Sequence, residues 1–203
     1  MNKANNHIFP DNIRTISRKE KEKLLCQNSR TIWMTGLSGA GKTTIARELE
    51  LELSSRGFLS YVLDGDIIRS GISNNLTFTD TDREENIRRI AEVSKLFIDC
   101  GIITINCFIS PTEAIRAMAR NIIGSENFIE VYINAPFEVC EKRDVKGLYL
   151  KARKGEIKDF TGIDSVFDRP EIPDIEVKTD ITSIEDSVRQ VLDYILPIIE
   201  YKG

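Results

Sequence analysis

The chain has 203 residues, a formal net charge of −4 and 41% apolar side chains, which fits one globular domain with a substantial core. That acidic balance argues against general nucleic-acid binding, which draws on a basic surplus. No apolar run reaches the ~18 residues of a membrane span.

Residues 1–17 are polar and unpatterned. From Ser17, the run Arg18-Lys19-Glu20-Lys21-Glu22-Lys23-Leu24-Leu25 predicts a short helix behind a serine cap, with its alternating charges forming a solvated face. Thr31-Ile32-Trp33-Met34-Thr35 predicts a buried strand. Gly36-Leu37-Ser38-Gly39-Ala40-Gly41-Lys42-Thr43 follows and fits G-x-x-x-x-G-K-[ST] at every fixed position. Ile45, Leu49 and Leu53 then recur at helical spacing until Arg56-Gly57.

Strand, glycine-rich turn and helix form the setting in which this motif cradles a phosphate chain. Backbone N–H groups curl around the oxygens, and the helix N-terminus points its partial positive charge at them. Lys42 would reach the β- and γ-phosphates of a nucleotide, and the Thr43 hydroxyl would ligate Mg²⁺.

Phe58 to Leu63 predicts a second strand, with Asp64-Gly65-Asp66 at its C-terminal end, readable as a simple turn or as paired site carboxylates. In parallel sheets that edge is where ligands bind. Phe78-Thr79-Asp80-Thr81-Asp82 reads as a loop, and Arg83 to Cys100 as a long helix with Ile87, Ile90, Ala91, Val93, Leu96 and Phe97 on its core side. Ile102 to Ile109 is nearly all apolar, as a central strand should be, and stops at Ser110-Pro111. Thr112 to Ile123 predicts a helix, Phe128 to Ile133 a strand, and Ala135-Pro136 opens a helix to about Arg143.

From Asp144 to Asp168 the pattern breaks. Lys146, Lys151, Arg153, Lys154 and Lys158 crowd a glycine-containing stretch with little core signal, readable as a surface loop or as a closing lid. Ile175 to Thr179 predicts a last strand, and Ile184 to Ile199 a helix with Val188, Val191, Leu192 and Ile195 inward. Strands alternating with helices predict an α/β sandwich with a mostly parallel sheet and helices on both faces. Residues 1–27 read as an N-terminal segment, and 28–203 as the domain carrying a lid over about 144–168.

Cys26, Cys100, Cys107 and Cys140 form no C-x-x-C pair, and His7 is the single histidine, so a zinc site is not expected. The cysteines read as reduced core thiols of a cytoplasmic protein, and the N-terminus lacks an apolar signal segment.

No N-K-x-D guanine motif accompanies the loop, so a GTPase is not indicated. What remains are charged groups at strand ends, suited to a small second substrate. Asp64 and Asp66 could hold magnesium-bound water or take up a hydroxyl proton. Arg69, Arg83, Arg88 and Arg89 suit an anion, because a guanidinium matches phosphate-type oxygens with two parallel hydrogen bonds. Phe78 stands in a loop, free to stack on a base or to plug the core.

Together these blocks resemble the adenylylsulfate kinases (APS kinases). They are Gly36 to Thr44, Leu63-Asp64-Gly65-Asp66, Asp82-Arg83-Glu84-Glu85-Asn86-Ile87-Arg88-Arg89-Ile90, Phe108-Ile109-Ser110-Pro111, Cys140 to Tyr149 and Lys151 to Asp164. The resemblance implies a P-loop NTPase-type fold with a basic lid, and transfer of the ATP γ-phosphoryl group to the 3′-hydroxyl of adenosine 5′-phosphosulfate. The products would be 3′-phosphoadenosine 5′-phosphosulfate (PAPS) and ADP, in sulfate activation.

By motif position, Gly36, Leu37, Ser38, Gly39, Ala40, Gly41, Lys42, Thr43 and Thr44 would hold ATP, with Arg143 near its base. Asp66, Arg69, Phe78, Arg83, Asn86, Ile109, Ser110, Lys146 and Phe160 would surround the adenylylsulfate, with Phe78 and Phe160 sandwiching its adenine. Lys42 and Asp64 would be catalytic, with Thr43 and, through water, Asp64 on magnesium. The family pattern marks Ser110 as a phosphoserine; a plain hydroxyl contact is the other reading, since no histidine stands ready as its base. A homodimer is implied, with any ATP sulfurylase a separate protein.

The chain departs from the pattern at Ile67, where the family has asparagine, and at Ser70, where it has histidine. Altered acceptor affinity is the expectation there. A kinase of another small metabolite or nucleotide, or an idle nucleotide-binding regulatory domain, remains the alternative.

Overall fold

The computed structural model describes residues 16–202, so the polar opening of the chain and His7 lie outside the described residues. Helix α1 (Arg18–Leu25) begins at a capping box: the Glu20 N–H donates to Ser17 Oγ, and the Ser17 N–H donates to Glu20 Oε2 at 2.8 Å. The expected solvated face is not entirely solvated. Glu22 is buried and its Oε1 accepts from Arg18 Nε and from both the N–H and the hydroxyl of Ser29, donors enough to bury a carboxylate.

The rest alternates strand and helix: β1 (Thr31–Thr35), α2 (Lys42–Ser55), β2 (Ser60–Asp64), α3 (Gly65–Ser70), α4 (Asp80–Asp99), β3 (Ile103–Cys107), α5 (Glu113–Ile123), β4 (Phe128–Asn134), α6 (Phe137–Arg143), α7 (Leu148–Arg153), β5 (Ile175–Lys178) and α8 (Ile184–Ile199). The five strands pair in the order β2-β3-β1-β4-β5, all parallel. β1 and β3 are buried along their whole length, with their buried polar side chains paired: the Thr31 and Thr104 hydroxyls meet at 2.9 Å, and Asn106 Nδ2 donates to Ser94 Oγ at 2.7 Å.

One cluster of buried side chains joins the sheet to α2 and α8 through Ile45, Leu49, Leu53, Val191 and Ile195. The other joins it to α4 and α5 through Trp33, Ile87, Ile90, Ile98 and Ala119. Trp33 lies between Phe108 and Phe128, with ring centroids at 5.7 and 5.4 Å.

Several sequence expectations need correction. Asp64-Gly65-Asp66 is no simple turn: Asp64 caps α3, its Oδ1 accepting the Asp66 N–H at 3.0 Å. α4 starts at Asp80, ahead of Arg83, because Thr79 caps it and Asp80 and Asp82 suit its positive end. Leu96 is 61% exposed, since the buried stripe of α4 runs Ile87, Ile90, Ala91, Ser94, Ile98 and leaves it to one side. Cys26 and Cys100 are exposed, and only Cys107 and Cys140 are core thiols. The stretch 144–168 contains α7 and roots itself in the core through Tyr149 and Phe160. Its many charges concealed those anchors.

Candidate active site

The glycine-rich loop runs from the carboxyl end of β1 into α2, in the crevice where parallel sheets bind ligands. Gly36 has φ +152°, and a Cβ there would lie 2.3 Å from the Ile133 carbonyl oxygen, so the loop closes against β4 only with glycine. Lys42 Nζ donates to the carbonyls of Gly36 and Leu37, both at 2.8 Å. Burial lowers its pKa to about 8, an effect partly opposed by the Asp64 carboxylate. The Cys107 thiol is itself pushed up to about 12 by burial and stays neutral.

Thr43 Oγ1 donates to Asp64 Oδ2 at 2.8 Å, which joins the loop to the end of β2. Arg143 is stapled across the loop: Nη1 donates to Gly39 O at 3.2 Å and to Thr179 Oγ1 at 3.1 Å, and Nη2 donates to Thr179 O at 2.7 Å. Thr179 Oγ1 in turn donates to Ala40 O at 2.7 Å. Nothing local marks Thr179, at the end of β5, as a partner of the loop.

A cluster of cations stands on the neighbouring edge. Arg69 Nη1 donates to Thr77 O at 2.8 Å, and its guanidinium lies 4.4 Å from the Phe78 ring centroid. Burial, then the like charge of Arg83, lowers the Arg69 pKa, so two guanidiniums share this ground. Arg83 Nε donates to Phe78 O at 2.8 Å, while Nη1 donates to Thr161 Oγ1 and Nη2 to Asp159 O. Arg83 thus draws the Phe78 loop and the backbone flanking Phe160 towards each other. Lys146 pairs with Asp66.

Phe78 is 59% exposed, whereas Phe160 is buried, edge-on to Tyr149 at 4.9 Å. Asn86 is buried and its Oδ1 finds no donor among the described residues. A cleft of about 510 Å³ opens beside Arg83, lined also by Asp80, Pro111, Ile115, Asp164 and Val166. Of the two departures, Ile67 is 58% exposed on α3, and Ser70 Oγ donates to the Ile67 carbonyl at 2.8 Å.

Ser110 is 2% exposed with φ 39°, an unusual left-handed serine at the end of the strand-to-helix turn. Its Oγ accepts from Trp33 Nε1 at 3.1 Å and donates to Thr35 Oγ1 at 3.1 Å. Its carbonyl accepts from Arg116 Nη1 at 3.1 Å. Arg116 is 1% exposed and faces the buried Glu130, with Nε and Oε1 3.0 Å apart. Burial raises the Glu130 pKa, and Arg116 and Arg120 oppose that rise. Sequence reasoning missed Arg116 and Glu130, because on a single helix or strand they read as ordinary surface charges.

The family described as adenylylsulphate kinase matches residues 28–178. The chain belongs to this family. An adenylyl-sulfate kinase of Bacteroides thetaiotaomicron is 60% identical over 197 residues, 97% of this chain and 98% of that protein. The Mycobacterium tuberculosis APS kinase CysC in complex with AMPPNP and APS superposes with a TM-score of 0.80 at 43% identity, covering 83% of this chain and 98% of that one. A hexameric APS kinase from Thiobacillus denitrificans superposes with a TM-score of 0.63 at 27% identity, over 85% of this chain and 30% of that one. The adenylylsulphate kinase resemblance read from the blocks therefore holds, and so does the parallel P-loop fold it implied.

Proposed function

We propose that this chain transfers the γ-phosphoryl group of ATP to the 3′-hydroxyl of adenosine 5′-phosphosulfate, giving PAPS and ADP. The observation that carries this reading is the contact of Thr43 Oγ1 with Asp64 Oδ2, which sets the phosphate loop beside an edge holding Asp66, Arg69, Arg83 and Lys146. A relative of this fold, the Mycobacterium tuberculosis enzyme, was solved with a nucleotide analogue and APS together.

Each cation on that edge is held by an acceptor that an anionic substrate oxygen can replace: carbonyls for Arg69 and Arg83, a carboxylate for Lys146. Lys42 likewise exchanges two loop carbonyls for phosphoryl oxygens. Phe78 and Phe160 flank the acceptor adenine, and the orphaned Asn86 Oδ1 accepts from a substrate donor. Asp64, held by Thr43 and by the Asp66 N–H, takes the proton of the 3′-hydroxyl as that oxygen bonds to the γ-phosphorus. The bond from phosphorus to the bridging oxygen breaks, and its electron pair leaves with ADP.

The paired Thr43 hydroxyl and Asp64 carboxylate are hard oxygen donors that suit Mg²⁺ directly and through water. Among the described residues no group of three or more His, Cys, Asp or Glu side chains could hold a metal. Such a site fits magnesium carried in on the nucleotide phosphates, where it supplies charge neutralisation on their oxygens.

We extend the reading to a lid over about 144–168, to a cytoplasmic homodimer and to supply of the acceptor by a separate ATP sulfurylase. Four free cysteines support a reducing compartment. Light scattering of the purified chain tests the dimer. A coupled ADP-release assay with MgATP and adenylylsulfate, with AMP and adenosine as control acceptors, tests the reaction. Turnover with adenylylsulfate that is lost in Lys42→Ala and Asp64→Ala is the expected result; turnover with AMP alone would assign a nucleotide kinase instead.

A further inference from the structure

Tyr149 touches both halves of the site, yet no motif position gives it a task. It is 1% exposed, on the first turn of α7. Its hydroxyl donates to the carbonyl of Ser38, inside the phosphate loop, at 2.9 Å. Its ring meets Phe160 edge-on at 4.9 Å and 73°, and Phe137 at 5.6 Å and 74°. The Asp144 carboxylate fixes the start of the helix by accepting the N–H groups of Tyr149 and Leu150 at 3.0 and 3.1 Å.

A second contact parallels the first. Gly162, with φ +95°, leaves so little space that an added Cβ would lie 3.2 Å from Leu37 and 3.3 Å from the Phe137 ring. The Phe160-Thr161-Gly162 turn therefore rests on the phosphate loop both directly and through Tyr149.

A buried aromatic with one polar tip has its ring placed by packing and its direction fixed by the tip's partner. Here that partner is a loop carbonyl, so a shift of the loop around phosphates moves the phenol, and the phenol moves Phe160. We propose that Tyr149 is a positioning residue that couples occupancy of the nucleotide loop to the placement of Phe160 against the acceptor ring. This inference rests on the function proposed above. Coupling of this kind is a ratio of affinities, and it is the same from either site.

The test is titration calorimetry of the full chain with adenylylsulfate, with and without saturating ADP, alongside steady-state kinetics. The wild type should show an affinity ratio different from one. Tyr149→Phe keeps the ring and removes one neutral hydrogen bond, so the ratio should move towards one by roughly fivefold. KM for adenylylsulfate should shift by that factor while kcat stays within about twofold. Phe160→Leu should move the ratio likewise, and the double variant should move it no further.

A wild-type ratio of one overturns the inference. So does an unchanged ratio in Tyr149→Phe, even with a lowered melting temperature, because a purely structural role predicts that result. Additive effects of the two substitutions overturn it as well. If the wild type phosphorylates adenylylsulfate and any of these results appears, this inference alone falls. If it neither binds nor phosphorylates adenylylsulfate, the function reading falls and takes the coupling with it.

Discussion

Raising the pH from 7 to 9 should weaken nucleotide binding through Lys42. Its ammonium is buried and held by two carbonyls, and burial brings its pKa down to about 8. The protonated fraction of such a group falls from about nine-tenths at pH 7 to about a tenth at pH 9. A bound polyphosphate favours the charged form and draws the pKa back up, so above pH 8 binding must take up a proton. The dissociation constant should then rise about tenfold between pH 7 and pH 9.

Cys107, pushed up to about 12, stays neutral throughout that window. A nucleotide phosphate, with a second pKa of about 6, contributes little there. Without nucleotide the sign reverses: the folded pKa of about 8 lies below the ordinary 10.5, so stability should rise as pH climbs between those values. The assay is calorimetric titration with ADP at several pH values, in two buffers of different ionisation enthalpy. Lys42→Arg is the control, since arginine does not titrate in this range. A flat wild-type profile, or the same slope in Lys42→Arg, would refute the reasoning.

Ser110→Ala should lower stability by about 1–3 kcal/mol, because the Trp33 N–H loses its acceptor in a buried site, yet it should retain measurable turnover. Complete loss of turnover in a folded variant would return Ser110 to the covalent role. Arg116→Ala should cost about 1–3 kcal/mol in urea unfolding, because buried Glu130 loses one guanidinium partner and keeps only Arg120, and Glu130→Gln should cost less. Gly36→Ala should abolish nucleotide binding, measured by fluorescence titration, because its Cβ would collide with the Ile133 carbonyl. Ile67→Asn should lower KM for adenylylsulfate with little change in stability, since the side chain is mostly exposed; an unchanged KM would remove Ile67 from the acceptor site.

The phosphate loop, the five strands and the family's sequence blocks were legible because each is written in consecutive residues. A glycine pattern, an apolar run or an Asp-Arg-x-x-Asn-Ile-Arg-Arg string needs no knowledge of what lies opposite. The boundaries of α4 and the capped α3 were less legible, because a cap is a local hydrogen bond that several polar types could make. The partnerships between distant residues were not legible at all. Arg143 meets Thr179 36 positions away, and Tyr149 meets Ser38 111 positions away. Arg116 on α5 meets Glu130 on β4 only once the helix and the strand lie side by side. A charge or phenol in a sequence carries its chemistry with it, but its partner is chosen by burial, which exists only once the sheet has brought the strand ends together.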